Sequence, residues 1–543
     1  MAISKIKSFG LQGVDGYIVD VEIDLSKSLP KFVLVGLPDA SVKESRDRCT
    51  SAIKNSGAGF PIGKIVVNLA PADTRKEGAF YDLAVAVGIL AAAGELDEKA
   101  LGQYAFIGEL SLDGDIRRVN GVLPMLITAA KKGIKKVIIP AENAHEASFI
   151  SSVSADNGNT NQYTQKIEPI EIYTASSLTQ VLNAFGFSSG DINFASPYQN
   201  GVVQYLKRVT PRSFESVKRN MAYGADMKYV KGQFVAKRAL EIAAAGGHNV
   251  LLIGPPGSGK TMLAKCFPTI LPDMTFAESI ETTKIHSIAG ALDSRTGIIA
   301  LRPFRTPHHT ASLVALAGGG PKAKPGEISL AHNGVLFLDE MPEYTRPCLE
   351  MLRQPLEDNK ITISRANASF EYPANFTLIA SMNPCPCGYY GSRTNKCTCR
   401  PDDIVRYLRK VSGPLMDRID LHIEVDSVNY DDLSGEHLEE PSEDIKLRVD
   451  AARKIQLERY KGTTVYSNSD MNTGQLKKYC ALDGAGNKML KETFEKLQLS
   501  ARAYTRVLRV ARTIADLDGA TDITAEHIAE SVAYRNLDRK YKL

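Results

Sequence analysis

The chain has 543 residues, enough for roughly three domains of about 150 residues each, every one large enough to bury its own apolar interior. Lys+Arg number 66 against Asp+Glu 62, so the formal net charge of +4 does not mark the whole chain as a nucleic-acid binder, and any such surface must be local. The longest apolar run, LAVAVGILAAAG from Leu83 to Gly94, is too short to span a bilayer and the N-terminal MAISKIKSFG has no apolar signal core, which predicts a cytoplasmic protein with no membrane partner.

From residue 1 to about 184, short β-rich runs (IVDVEIDL, KFVLVGL, KIVVNLA, YAFIGEL, KKVIIP) alternate with the helical stretches DLAVAVGILAAAG and LPMLITAAKKG, which predicts an α/β domain. The polar SSVSADNGNTNQYTQK within it reads as a surface loop. Residues 185–213 open with FGFSSGDINFASPYQNG, without apolar periodicity, and read as a linker. Strands and helices alternate again over 214–435, and 436–543 is almost wholly helical, as in IKLRVDAARKIQLERY.

The second domain carries NVLLIGPPGSGKTMLAK. Gly254, Pro255, Pro256, Gly257, Ser258, Gly259, Lys260 and Thr261 fit G-x-x-x-x-G-K-[ST] between an apolar strand and a helix. Backbone N–H groups of such a loop surround phosphate oxygens, the lysine reaches the β- and γ-phosphates, and the threonine hydroxyl can hold Mg²⁺. In PFRTPHHTAS, His308 and His309 could line a pore, approach the nucleotide or shape a tight turn, and no acid or cysteine stands beside them at metal-ligand spacing. GVLFLDE then puts Asp339 and Glu340 at the carboxyl end of an apolar strand, suited to the Mg²⁺ shell and to polarising the attacking water. Together with the phosphate loop these acids point to a nucleotide hydrolase.

ITISRANASFEYPANF reads as a hairpin with Arg365 at its turn, a charged tip that blocks edge-to-edge association, while its similarity to the central-pore hairpin of hexameric helicases implies instead that Arg365 contacts a DNA phosphate. FTLIASMNP ends a buried-type strand at Asn383, whose neutral amide can orient water beside a γ-phosphate or simply form a turn. Residues 384–400 hold Cys385, Cys387, Cys397 and Cys399 in a C-x-C…C-x-C arrangement, with Pro386 and Gly388 to bend the chain. In a reducing compartment such a cluster reads as a structural Zn²⁺ site ahead of free thiols or a disulfide. The basic residues around it, among them Arg393, Lys396, Arg400 and Arg406, form either a DNA contact or a solvated face. SGPLMDRIDLHIEV offers Arg418, a fixed bidentate charge for a transferring phosphoryl group or for a surface pair with Asp417 or Asp420.

The order of these motifs resembles an AAA+ ATPase of the magnesium-chelatase-like branch. The long stretches VGLPDASVKES, KGQFVAKRALEIAAAGGHNVLLIGPPGSGKT, RPFRTPHHTAS, NPCPCGYYG and LSARAYTRVLRVARTIADL identify the chain more specifically as similar to the ComM/YifB family throughout its length. The resemblance implies Lys260 and Thr261 as Walker A, Asp339 and Glu340 as Walker B, Asn383 as sensor 1 and Arg418 as arginine finger. It further implies Arg502 as sensor 2, with Arg506 as the alternative, and Lys231, Gly232 and Gln233 as the loop near adenine. Because a finger acts on a neighbour's nucleotide, a homohexamer is implied, as is a DNA helicase role in branch migration of recombination joints during transformation, alongside recombination proteins. The competing expectation is a chelatase-like ATPase that remodels a protein partner.

Residues 76–140 resemble the proteolytic domain of Lon. Phe80 stands about where that enzyme needs its serine and Leu123 about where it needs its lysine, and neither can attack or accept a proton, so peptide hydrolysis is not expected. Lys76 and Glu77 survive from the motif, although a solvated turn explains them equally well.

Overall fold

The computed structural model describes residues 2–150, 169–187, 205–320, 323–364, 369–392, 395–427, 439–497, 500–535 and 537. The loop expected at 151–166, most of the linker expected at 185–213, and Arg365 and Arg393 lie outside the described residues. The chain is mixed α/β and packs as two compact units. One comprises Met1–Met221, Phe276–Ala300 and Pro321–Lys324, and the other Ala222–Thr275, Leu301–Gly320 and Pro325–Leu543. No helix among the described residues is long and apolar enough to cross a membrane.

The first unit is built on an eight-stranded sheet. A long hairpin, β1 (Ala2–Gln12) and β2 (Asp15–Ser26), pairs antiparallel from Ala2↔Leu25 to Gln12↔Asp15. β3 (Lys31–Val35) runs parallel to β4 (Lys64–Ala70) at one edge, while β5 (Tyr104–Phe106), β6 (Lys136–Pro140) and β7 (Glu171–Ala175) extend the other side in parallel. The short β8 (Lys207–Arg208) closes that side, giving the order β8-β7-β6-β5-β1-β2-β4-β3. Along β4 buried residues alternate with partly exposed ones, so one face of the strand lies in the core. Between these strands lie α1 (Ser45–Asn55), α2 (Asp82–Ala92) and α3 (Val122–Lys131). α2 is buried on nearly all sides, as its apolar composition requires.

A further helix, Phe276–Ala289, belongs to this unit although the sequence places it between segments of the other. It is tied down by polar contacts: Lys284 pairs with Asp15 at 2.6 Å, and the Ser287 hydroxyl accepts the Gly121 N–H at 2.9 Å and donates to buried Glu146. Glu146 also accepts the Leu123 N–H at 2.9 Å and the Asn143 amide at 3.1 Å, so all its partners are fixed. Leu123 is 1% exposed and Phe80 packs against two of the unit's apolar clusters. Lys76 differs from a solvated turn: its side chain is fully buried and its ammonium donates to Thr74 O at 2.8 Å, with burial lowering its pKa.

The second unit holds a five-stranded parallel sheet. Helix α4 (Phe234–Gly246) precedes β9 (Val250–Ile253), which is followed by α5 (Lys260–Cys266). β10 (Phe304–Arg305), the short α6 (Leu313–Ala317) and β11 (Val335–Leu338) come next, and a separate hairpin pairs β12 (Lys360–Ser364) with β13 (Ser369–Pro373). With β14 (Thr377–Met382) and β15 (Leu421–Glu424) the sheet order is β10-β11-β14-β9-β15. β9, β11 and most of β14 are buried on both faces, which is why they read as continuous apolar runs. The chain then turns helical in α7 (Ser442–Arg459), α8 (Gly484–Leu497), α9 (Ala501–Leu517) and α10 (Ala525–Ala533). Inside this helical part Asp516, wholly buried, is held by Arg459 and Arg512. A buried carboxylate shared by two guanidiniums fixes helix register, since neither charge can be left unpaired without a large desolvation penalty.

Candidate nucleotide site

The site forms at the carboxyl ends of β9, β11 and β14, where a parallel sheet offers its crevice. Gly257 and Gly259 take φ of 76° and 92°, conformations that side-chain-bearing residues avoid. A Cβ on Gly254 would lie 2.2 Å from Val425 O, so that glycine lets the loop seat against the end of β15. Lys260, the first residue of α5, donates to Gly254 O and Pro255 O at 2.8 Å each and to Asn383 Oδ1 at 3.3 Å. Its ammonium is thus parked on loop carbonyls, in reach of a phosphate. Burial lowers its pKa, with Asp339 and Glu340 opposing the shift.

Thr261 Oγ1 donates to Asp339 Oδ2 at 3.0 Å, bringing together the two oxygen donors expected for Mg²⁺. A hydroxyl beside a carboxylate suits a hard cation that keeps most of its water. The pairing Leu338↔Ala380 sets Ser381 level with Asp339, and the Ser381 hydroxyl donates to Asp339 while accepting the Glu340 N–H at 3.1 Å. Ser381 is not among the residues picked from sequence. Its signal is a hydroxyl inside the apolar strand FTLIASM, two positions before Asn383. Glu340 sits at φ 50°, a left-handed conformation rare for a side-chain-bearing residue, with its side chain 56% exposed.

Gly232 and Gln233 also have positive φ, 60° and 58°. Gln233 reaches Ser258 O at 3.4 Å and Asp426 O at 2.6 Å, and Gly232 N–H donates to Glu439 at 3.1 Å, so this turn touches the phosphate loop. The remaining predicted groups stand apart from Lys260 and Asp339. Arg418 is 4% exposed and donates to Pro414 O and Glu357. Arg502 lies exposed at the start of α9 and, among the described residues, has no hydrogen bond or ion pair from its guanidinium. Arg506, one turn on, is bound to Asp420 at 2.7 Å.

The four clustered cysteines converge. Their sulfurs lie within 4.8 Å of one another, with Sγ–Sγ separations of 3.4 Å for Cys385–Cys387, 3.7 Å for Cys385–Cys397 and 3.6 Å for Cys387–Cys397. Cys387 N–H points to Cys399 Sγ at 3.4 Å. Four thiolates around Zn²⁺ with bonds of about 2.3 Å sit about 3.8 Å apart, so the cluster is nearly that size. Burial alone would raise the Cys387 thiol, but the Thr398 and Tyr389 N–H groups and the neighbouring thiols bring it down to about 6. The loop also rests on the phosphate loop, since a Cβ on Gly388 would meet Pro256 Cδ at 2.4 Å.

A five-stranded parallel sheet with a phosphate loop, an acidic strand end and a helical C-terminal region defines a P-loop ATPase. Family models described as "Magnesium chelatase, subunit ChlI", "Subunit ChlI of Mg-chelatase" and "Magnesium chelatase, subunit ChlI C-terminal" match residues 226–433, 21–143 and 439–535. The chain is 42% identical to competence protein ComM of Haemophilus influenzae and 41% identical to the uncharacterized protein YifB of Escherichia coli, in each case over 99% of this chain and 98% of the relative. Lon protease 2 of Bacillus subtilis is 26% identical over 33% of the chain. The chain belongs to the ComM/YifB family of magnesium-chelatase-like AAA+ ATPases.

Proposed function

We propose that the protein is an ATP-driven DNA motor, a helicase or branch-migration factor that serves homologous recombination and transformation in the cytoplasm. The observation that carries this reading is the end-to-end similarity to a protein named for competence. In the proposed cycle, the phosphate loop and Lys260 hold the ATP phosphates, and Gly232 and Gln233 flank the base. Thr261 and Asp339 would hold Mg²⁺, which when bound neutralises phosphate charge. Glu340 takes the proton of the attacking water and Asn383 orients it. Arg418 acting on a neighbouring subunit's nucleotide, and Arg502 reaching the nucleotide as the helical part closes, would make a homohexamer the active form. Arg365 and the basic residues beside the cysteines are the proposed DNA contacts, and recombination proteins the proposed partners. ATPase rate is the test: forked or four-way-junction DNA is expected to raise turnover several-fold, and a rate indifferent to DNA refutes the motor.

A second reading, a chelatase-like ATPase that remodels a protein partner, is favoured by 26% identity to the 67 kDa magnesium-chelatase subunit of Chlorobaculum parvum, over 28% of the chain. It predicts turnover raised by a protein and not by DNA.

The four cysteines are proposed to hold one structural Zn²⁺. Metal analysis of the purified protein is expected to give about one zinc per chain, lost in Cys385→Ser and Cys397→Ser. Because Gly388 abuts Pro256, stripping the metal is also expected to weaken ATP binding. Zinc at well below one equivalent rules the site out.

A further inference from the structure

We propose that Glu439 is a positioning residue that holds the Gly232–Gln233 turn against the base of ATP, an inference that rests on the reading of that turn as the base-flanking loop. Gln233 takes a left-handed φ of 58° directly before α4, and a side-chain-bearing residue keeps that conformation only where its surroundings fix it. The turn is fixed from two sides. On one, the Gln233 amide donates to Ser258 O in the phosphate loop and to Asp426 O just beyond β15. On the other, Glu439 Oε1 accepts the Gly232 N–H at 3.1 Å.

Glu439 is itself aimed. Its other oxygen, Oε2, lies 3.2 Å from Nζ of Lys237, whose side chain is almost wholly buried on the first turn of α4. One carboxylate therefore bridges the turn and the helix that the turn opens, and its negative charge suits that helix N-terminus. Burial alone would raise the Glu439 pKa, but the Gly232 N–H and Lys237 hold it below its ordinary value, so the acceptor is charged at neutral pH. The contact is one of several, because residues 439–442 run along residues 226–232. Glu439 N–H donates to Lys228 O at 3.2 Å, Ser442 Oγ accepts the Met227 N–H at 2.8 Å, and the Ser442 N–H donates to Asp226 Oδ1 at 3.0 Å. Ser442 is the first residue of α7, so the turn is tied to the start of the helical part.

Without Glu439 the Gly232 N–H and the Lys237 ammonium both lose this acceptor, and Gln233 is held from the phosphate-loop side alone. Lys260 and Thr261 are set by other partners, Gly254, Pro255, Asn383 and Asp339. The loss therefore falls on the base half of the nucleotide and spares the phosphates and the chemical step.

The experiment is steady-state ATPase of the full-length protein, with inorganic tripolyphosphate as a competitor that has no base, for the wild type, Glu439→Ala, Glu439→Gln and Gln233→Ala. Glu439→Ala is expected to raise KM for ATP about tenfold, with kcat and the tripolyphosphate inhibition constant within about twofold of the wild type. Glu439→Gln, whose amide oxygen still accepts the Gly232 N–H, is expected to recover most of the loss. Gln233→Ala is expected to raise KM as Glu439→Ala does. A wild-type KM in Glu439→Ala, with KM raised in Gln233→Ala, overturns the role of Glu439 and leaves the turn beside the base. A wild-type KM in both overturns the base-flanking reading itself. Tripolyphosphate binding weakened as much as KM in Glu439→Ala also overturns the proposal, because the defect then lies at the phosphates. If Glu439→Ala fails to fold, combining it with Lys237→Met leaves neither buried charge without its partner and carries the same expectations.

Discussion

Glu340→Gln is expected to bind ATP with wild-type affinity and to turn it over at least about 100-fold more slowly, the loss that follows when a positioned general base is removed. Affinity should hold because the binding groups are elsewhere: Lys260 is set by Gly254, Pro255 and Asn383, and Thr261 by Asp339. Gln is nearly isosteric with Glu and keeps the backbone N–H that donates to Ser381, so the strand end should not rearrange. The comparison with Ser381→Ala is informative. Loss of that hydroxyl leaves Asp339 one donor short and the Glu340 N–H without its acceptor, so both metal affinity and turnover should fall. Equilibrium binding and single-turnover kinetics separate the two variants.

The largest stability effect is expected at Arg506. Asp420 is buried, and burial alone would raise its pKa. Arg506 at 2.7 Å, His248 at 3.7 Å and the Asn249 N–H at 3.0 Å instead hold it well below the usual carboxylate range. Arg506→Ala leaves that carboxylate buried beside a cavity, a defect of about 3–5 kcal/mol. The pH dependence has a definite sign. A carboxyl whose folded pKa is depressed stabilises the protein above its unfolded value near about 4, and that stabilisation is lost as pH falls through the folded pKa. The gap between wild type and variant should therefore be widest at neutral pH and narrow near pH 4, where the wild type loses part of this stabilisation and the variant's unpaired carboxyl takes up a proton, and denaturant titrations at the two pH values measure the difference. A wild-type denaturation midpoint in Arg506→Ala at neutral pH would return Arg506 to consideration as a nucleotide sensor.

Much of the site could be read from the chain because its parts are local. GPPGSGKT and GVLFLDE each lie at a single strand end, and the cysteine pairs are close in sequence, so spacing alone proposed that they meet. What sequence could not supply depended on register or tertiary burial. Ser381 became a partner of Asp339 only once β11 and β14 were aligned. His309, its Nδ1 3.8 Å from Glu340 Oε2, arrives there only through the pairing of β10 with β11, and its metal-poor neighbourhood in sequence gave no hint of a carboxylate. Arg418 reads in SGPLMDRID as a donor to a phosphoryl group or a surface partner of Asp417 or Asp420, yet it is buried and its ion-pair partner is Glu357, distant in sequence. β1 is masked in the sequence for another reason. Its inward positions include Ser4 and Ser8, which donate to Gly88 O and Phe106 O, and two buried serines break the apolar alternation that announces a strand. The helix Phe276–Ala289 shows little amphipathic bias and is docked by Lys284 and Ser287, polar contacts that no periodicity reveals.

The motor reading is tested most directly by following a labelled four-way junction with the full-length protein and ATP. The wild type is predicted to move the junction to product arms only while ATP is hydrolysed, and Glu340→Gln to bind the same junction without moving it. A wild-type preparation that hydrolyses ATP and binds the junction yet leaves it in place would contradict the account.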